Sequence, residues 1–301
     1  MILSAFGLCV RLAFPLPALA AVQDSSCAPT LEARLVPFPP GDPDPGIDEH
    51  LWTTRFDEQD YLMHRLRDGS HRCVYGERAS FHLSADGSLL TCAVAEPADA
   101  GWQRLFLDTI LWTCSLLRGY ELLHASTVCG PDGAVAIVAT SGGGKTSLAA
   151  ELIARGATLL SDDVLALDRV DGRLGGHPGP PVMNLPLTGR PEFGRELARF
   201  PDERWVALDR VATEPRPLAA ICLLERRPGS ELALERHPCT ALDLLPHVFR
   251  GGQRSDAARF ELLSDVATEV PVFRLTADPG VPPAELADQV ESRIGAPVVA
   301  G

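Results

Sequence analysis

The chain has 301 residues, 46% hydrophobic and 22% charged, which is too long for one small core and too apolar for a disordered tail. A formal net charge of −13 excludes the broad basic surface that gripping nucleic-acid phosphates requires. Eight cysteines form no C-x-x-C pair and no zinc spacing, so they read as reduced, buried small hydrophobes of a cytoplasmic protein and not as a disulfide framework.

In chain order, Met1 to Ala21 is apolar and ends in small residues. Arg11 interrupts the run, and Pro15 and Pro17 break any helix, so Phe6 to Leu16 reads as a strand and a turn in preference to a signal peptide. No other run is long enough for a membrane helix, and no membrane partner is expected. Pro37 to Pro45 is a Pro/Gly/Asp-rich loop. Ser80 to Val94 is a hairpin turning at Asp86-Gly87. Trp102 to Leu117 carries apolar residues at helical spacing and closes a β-rich N-terminal domain over residues 1–118.

From residue 119 to 301 strands alternate with helices, the pattern of an α/β domain. Ala134 to Ala139 is an uninterrupted apolar run, as expected of a strand buried on both faces. Lys145 to Arg155 is a helix stopped by Gly156, and Ala157 to Ser161 is the next strand. This β-α-β order predicts a parallel pair with a right-handed crossover. Val164 to Asp168 and Arg173 to His177 form a hairpin. Ala219 to Leu224, Glu231 to Glu235 and Val272 to Leu275 are further strands. Thr240 to Val248, Asp256 to Leu263 and Pro283 to Ile294 are helices.

Lys145 is the single lysine in the chain; every other strongly basic side chain is arginine. It stands in Ser141-Gly142-Gly143-Gly144-Lys145-Thr146-Ser147, between a buried strand and a helix. Glycines let main-chain amides curl around phosphate oxygens, the helix start adds partial positive charge, and the lysine supplies a point charge. These residues are the candidate site for ATP, with the Thr146 hydroxyl as a Mg²⁺ ligand. Ala139 stands where the usual loop pattern opens with glycine. Asp162 and Asp163 end the strand after the helix, on the edge where open α/β sheets bind ligands. One of the pair can help hold Mg²⁺, and the other can take the proton of an attacking hydroxyl. His124, in an apolar stretch, is equally read as a core histidine or a site residue.

Taken together, Leu123-His124-Ala125, Ser141 to Thr146, Arg155-Gly156-Ala157 and Leu160-Ser161-Asp162-Asp163 resemble the C-terminal catalytic domain of HPr kinase/phosphorylase. They are closer still to the shorter HPr-kinase-like serine kinases found beside peptide-modification genes, those of lasso peptides included. The resemblance is tight over residues 122–182. It implies the P-loop kinase core shared with phosphoenolpyruvate carboxykinase, and transfer of the ATP γ-phosphate to a serine of a peptide or protein. It implies phosphate and metal contacts at Lys145 and Thr146, a general base at Asp163, a metal-side partner at Asp162, and a place for His124 beside the transfer site. Two departures count against phosphorylase activity: Ser147 replaces a glutamate, and Gly176-His177-Pro178-Gly179-Pro180 stands in place of a metal-binding glutamate motif. Arg250 reads as a solvated helix end. A non-catalytic ATP-binding regulator and a small-molecule kinase on the same core are the alternatives, and a homo-oligomer is compatible with the sequence.

Overall fold

The computed structural model describes residues 1–20, 26–38, 46–56, 59–188 and 194–294. The chain is mixed α/β and divides into two units, Met1–Arg118 and Gly119–Gly301. Most of the Pro37 to Pro45 loop lies outside the described residues.

The first unit holds strands β1 (Ile2–Ala5), β2 (Leu8–Leu12), β3 (Leu31–Pro37), β4 (Ile47–Phe56), β5 (Gln59–Leu66), β6 (His71–Tyr75), β7 (Ala79–Leu83) and β8 (Leu89–Val94). They form one sheet in the order β1-β2-β3-β8-β7-β6-β5-β4. Pairing is parallel at β2–β3 and β3–β8 and antiparallel elsewhere. The helix expected over Trp102 to Leu117 runs as α1 (Ala100–Leu105), a π segment (Phe106–Ile110) and α2 (Leu111–Leu117). Asp99 caps its start by accepting from the Gly101 amide. Ile110, Cys114 and Leu117 line one small cavity with Met63, Cys73, Phe81 and Leu90, one residue from each of β5 to β8.

The cysteine reading needs correction here. Cys9 and Cys27 form a disulfide. The crossover from β2 to β3 carries residue 27 back beside β2, where the Thr30 amide bonds the Cys9 carbonyl at 2.8 Å. That proximity comes from strand pairing and leaves no mark in cysteine spacing. The other six cysteines are free.

The second unit continues with β9 (Glu121–Leu123), β10 (Ala125–Gly130), β11 (Gly133–Val138), α3 (Lys145–Ala154), β12 (Thr158–Ser161), β13 (Leu165–Val170), β14 (Arg173–His177), β15 (Val182–Pro186), β16 (Arg195–Arg199), β17 (Glu203–Ala207), β18 (Arg216–Arg226), β19 (Ala233–Arg236), α4 (Ala241–Leu244), α5 (Asp256–Glu269), β20 (Val272–Ala277) and α6 (Pro283–Ile294). The main sheet runs β12-β10-β11-β18-β14-β13-β9, with β20 beside β18 and β19 beside β20; β15-β17-β16 form a separate three-stranded sheet.

Strand β11 shows why this core is double-faced. Val135, Ile137 and Ala139 pack with Leu148 and Leu152 of α3 and Leu286 and Val290 of α6. Ala134, Ala136 and Val138 pack on the opposite face with Leu244, Leu263 and Val266 of α4 and α5. The period of two along a strand turns an unbroken apolar run into two buried faces.

The β-α-β expectation is corrected in one respect. β11 and β12 flank α3, but β10 lies between them and is antiparallel to both. β10 and β11 are a tight hairpin, Gly130 opposite Gly133, and it fills the slot beside β11 before the crossover returns. The parallel neighbour of β11 is β18. Among the described residues no helix is long and apolar enough to cross a membrane.

Candidate active site

The glycine-rich loop leaves the end of β11 and enters α3 with Gly144 as the capping residue. Gly142 and Gly144 have φ of +75° and +95°, the left-handed region that glycine enters without a Cβ penalty. At Gly143 the constraint is space: a Cβ there would stand 2.8 Å from the Ala139 Cβ and 2.9 Å from the Thr140 carbonyl oxygen. Ser141 and Gly142 are exposed, and Thr146 and Ser147 are half-buried on the first turn of α3.

Lys145 is only 5% exposed, unusual for a lysine. Its Nζ lies 3.5 Å from the Ala139 carbonyl oxygen and 3.8 Å from Asp163 Oδ1. Burial pushes its pKa down, while the charges of Asp163 and Asp162 pull it back up. An ammonium stripped of water and offset by carboxylates suits an anion that brings more negative charge.

The acidic pair follows β12. Asp163 has φ of +63°, a turn conformation that aspartate tolerates better than most residues. The turn is closed by the Val164 amide on the Asp162 carbonyl oxygen, by the Ser161 hydroxyl on the Val164 carbonyl oxygen, and by the Ala125 amide on the Asp163 carbonyl oxygen. This backbone divides the two carboxylates. Asp163 is 59% exposed and lies 2.9 Å from His124 Nε2. Asp162 is half-buried on the other side. Its Oδ1 accepts from Ser126 Oγ at 2.6 Å and Thr146 Oγ1 at 3.2 Å, and its Oδ2 accepts from the Asn184 amide at 3.3 Å.

Burial, then the neighbouring Asp163 charge, pushes the Asp162 pKa up to about 6, against the opposing pull of its three donors. A Mg²⁺ ion keeps several waters and needs only one or two carboxylates, with phosphate oxygens completing its shell. The Thr146 hydroxyl and the Asp162 carboxylate, side by side at the loop, fit such an ion as donors. Among the described residues no group of three or more His, Cys, Asp or Glu side chains forms a metal cage of its own.

His124 sits between β9 and β10, its amide bonded to the His247 carbonyl oxygen at 2.7 Å and its ring edge-on to Phe249 at 5.8 Å. Burial, then the charges of His124 and Lys145, lowers the pKa of His247. The structure therefore brings His124, Lys145, Thr146, Asp162 and Asp163 together. His177 is held elsewhere, by Asp168 at 2.9 Å and the Tyr120 ring at 5.4 Å, and Arg250 is exposed. The Gly-Pro segment touches the site's frame through the Gly179 amide on the Leu160 carbonyl oxygen.

Ser126 and Asn184 join the site without being marked by the motifs. Ser126 lies two residues past His124 at strand spacing, a signal visible once that segment is read as a strand. Asn184 reaches Asp162 through its main chain, which carries no sequence signal.

No protein-family model and no curated protein sequence matches the chain. Among solved structures, the chain is similar to the Hpr(Ser) kinase/phosphatase from Coxiella burnetii, at 17% identity over 57% of this chain and 88% of that chain, with a TM-score of 0.33.

Proposed function

We propose that the chain is a kinase that transfers the γ-phosphate of ATP to a serine hydroxyl of a peptide or protein, on a P-loop core. The observation that carries this reading is the convergence of a nearly buried lysine, a glycine-rich helix start and two differently placed carboxylates. Phosphoryl transfer asks little covalent chemistry of a protein; it asks for positioning and charge neutralisation.

In this reading the loop amides and Lys145 hold the triphosphate with its terminal phosphorus toward Asp163. Thr146 and Asp162 would hold Mg²⁺, which would supply charge neutralisation of the phosphate oxygens. Asp163 accepts the serine proton as the serine oxygen bonds to phosphorus and the bond to the leaving ADP oxygen breaks. His124, hydrogen-bonded to Asp163, orients that carboxylate. Ser126 and the Asn184 amide keep Asp162 facing Thr146.

A reaction that consumes ATP suits the cytoplasm. The free cysteines agree with a reducing compartment and the Cys9–Cys27 bridge does not. The test is incubation with γ-labelled ATP, Mg²⁺ and serine-containing peptides. Label should move to serine with wild type and not with Lys145→Ala. Equal labelling by that variant, or label on a metabolite alone, would overturn the reading.

A further inference from the structure

A cleft of about 420 Å³ opens beside the glycine-rich loop, bounded by Ala139, Thr140, Leu224, Arg226 and His247 among others. Three arginines edge it: Arg226, Arg227 and Arg274. Two of them already share a carboxylate, because Glu225 lies 2.5 Å from Arg227 Nη2 and 3.0 Å from Arg274 Nε. Arg226 is placed differently. Its Nη1 donates to the Asp278 and Val281 carbonyl oxygens, each at 3.1 Å. The Asp278 carboxylate itself accepts from the Gly229 and Gly280 amides at 2.7 and 2.8 Å. The guanidinium is thus fixed in place by neutral acceptors, and the Asp278 carboxylate, bonded to two amides, acts on it only through its charge.

Its free edge is turned to the loop. A Cβ built on Gly144 would have Arg226 Nη2 as its nearest neighbour, at 3.5 Å, with Nε at 3.9 Å. Asp162 and Asp163 stand at the end of β12, while Arg226 ends β18, on the other side of β11 in the sheet. A polyphosphate whose terminal group faces the acids has its remaining negative charge to place on the side away from them. Arginine at a fixed position is suited to that, because its planar fork binds phosphate oxygens without much further loss of freedom.

We propose that Arg226 is a second phosphate-binding cation of this site, holding the non-transferred phosphates of a polyphosphate ligand while Lys145 serves the terminal one. The proposal rests on the reading of the loop as a triphosphate site. Burial lowers the Arg226 pKa in the absence of ligand, with Asp278 opposing it, as expected of a cation awaiting an anion.

The test is calorimetric titration of the full chain with ATP and with inorganic tripolyphosphate, after circular dichroism has shown each variant folded. Arg226→Gln should weaken both ligands about tenfold or more, the loss of one charge-assisted contact. Arg226→Lys should keep most of the affinity, and Arg227→Gln should bind as wild type. Wild-type affinity in Arg226→Gln would overturn the proposal and leave the loop reading intact. Equal loss in Arg226→Lys would also overturn it, since the two carbonyl bonds and not the charge would then matter, as would equal loss in Arg227→Gln. If the wild-type chain binds neither ligand, the loop reading falls and this proposal with it.

Discussion

Asp163 Oδ1 stands 2.9 Å from Nε2 of His124, a residue 39 positions earlier in the chain. A left-handed backbone at Asp163 and a strand start at Ala125 create that contact, and it fixes the exposed carboxylate beside Lys145. If Asp163 takes the acceptor proton, Asp163→Asn should bind ATP no more weakly than wild type and lose about 10²–10⁴-fold in kcat. His124→Gln should lose less, up to about tenfold, because it removes one orienting hydrogen bond. Single-turnover transfer from labelled ATP measures both, and unchanged turnover in Asp163→Asn would remove that residue from the mechanism.

The neighbouring carboxylate makes a stability prediction of the opposite kind. The pKa of Asp162 rises from an ordinary 3.8 to about 6 in the folded chain. Between those values the folded state holds a proton that the unfolded chain has released, so stability falls as pH rises through the window. Above pH 6 the charged Asp162 costs on the order of 3 kcal/mol in the ligand-free protein, two pH units at about 1.4 kcal/mol each. Asp162→Asn should therefore raise the thermal midpoint at pH 7.5, show little gain at pH 4, and abolish transfer. A variant equally destabilised at both pH values would refute the assignment of strain to this carboxylate.

Within the loop, two glycines should answer differently to alanine. Gly142 has open space around its missing Cβ and only a φ penalty, about 1 kcal/mol. Gly143→Ala drives a methyl into the Ala139 side chain and the Thr140 carbonyl, so the loop must open. Nucleotide titration should show at most a modest loss for Gly142→Ala and a severe one for Gly143→Ala, both chains remaining folded. Similar affinities would mean that the tight turn at Thr140 is irrelevant to binding.

Besides their apolar packing, α3 and α6 are joined through Arg155 at the end of α3. Arg155 meets Glu151 at 3.0 Å, Asp288 at 2.6 Å, Glu291 at 2.9 Å and the Ala284 carbonyl oxygen at 2.8 Å. A part-buried network of this kind exceeds an isolated surface pair, so Arg155→Ala should destabilise the second unit by about 1–3 kcal/mol. Urea unfolding reads the loss, and hydrogen exchange should speed up in α6 first. A change confined to the first unit would contradict the role given to Arg155.

What the sequence disclosed was local. The strand, loop, helix and strand over residues 133–161 are written in contiguous patterns: an apolar run, a glycine cluster, a helical spacing and a Gly156 stop. Lys145, Thr146 and the Asp162-Asp163 pair stand in or just after those patterns, whereas His124 is tied to the site only by the family resemblance. What stayed hidden was set by pairing between distant segments. The insertion of β10 beside β11 depends on a hairpin register, the Cys9–Cys27 bridge on the parallel pairing of β2 with β3, and the sheet β15-β17-β16 on strands with no clear alternation. Asn184 and Arg226 reach the loop region from outside the motif, through a main-chain amide and a strand end.

The central claim is that a triphosphate lies in the Gly142 to Thr146 loop with its terminal phosphorus facing Asp163. A crystal structure with Mg²⁺ and a non-hydrolysable ATP analogue tests it most directly. The account predicts β- and γ-phosphate oxygens bonded to the loop amides and Lys145, with the metal at Thr146 and Asp162 and the Asp163 carboxylate at the outer face of the γ-phosphate. An analogue bound elsewhere, or one whose terminal phosphate points away from the acidic pair, would contradict it.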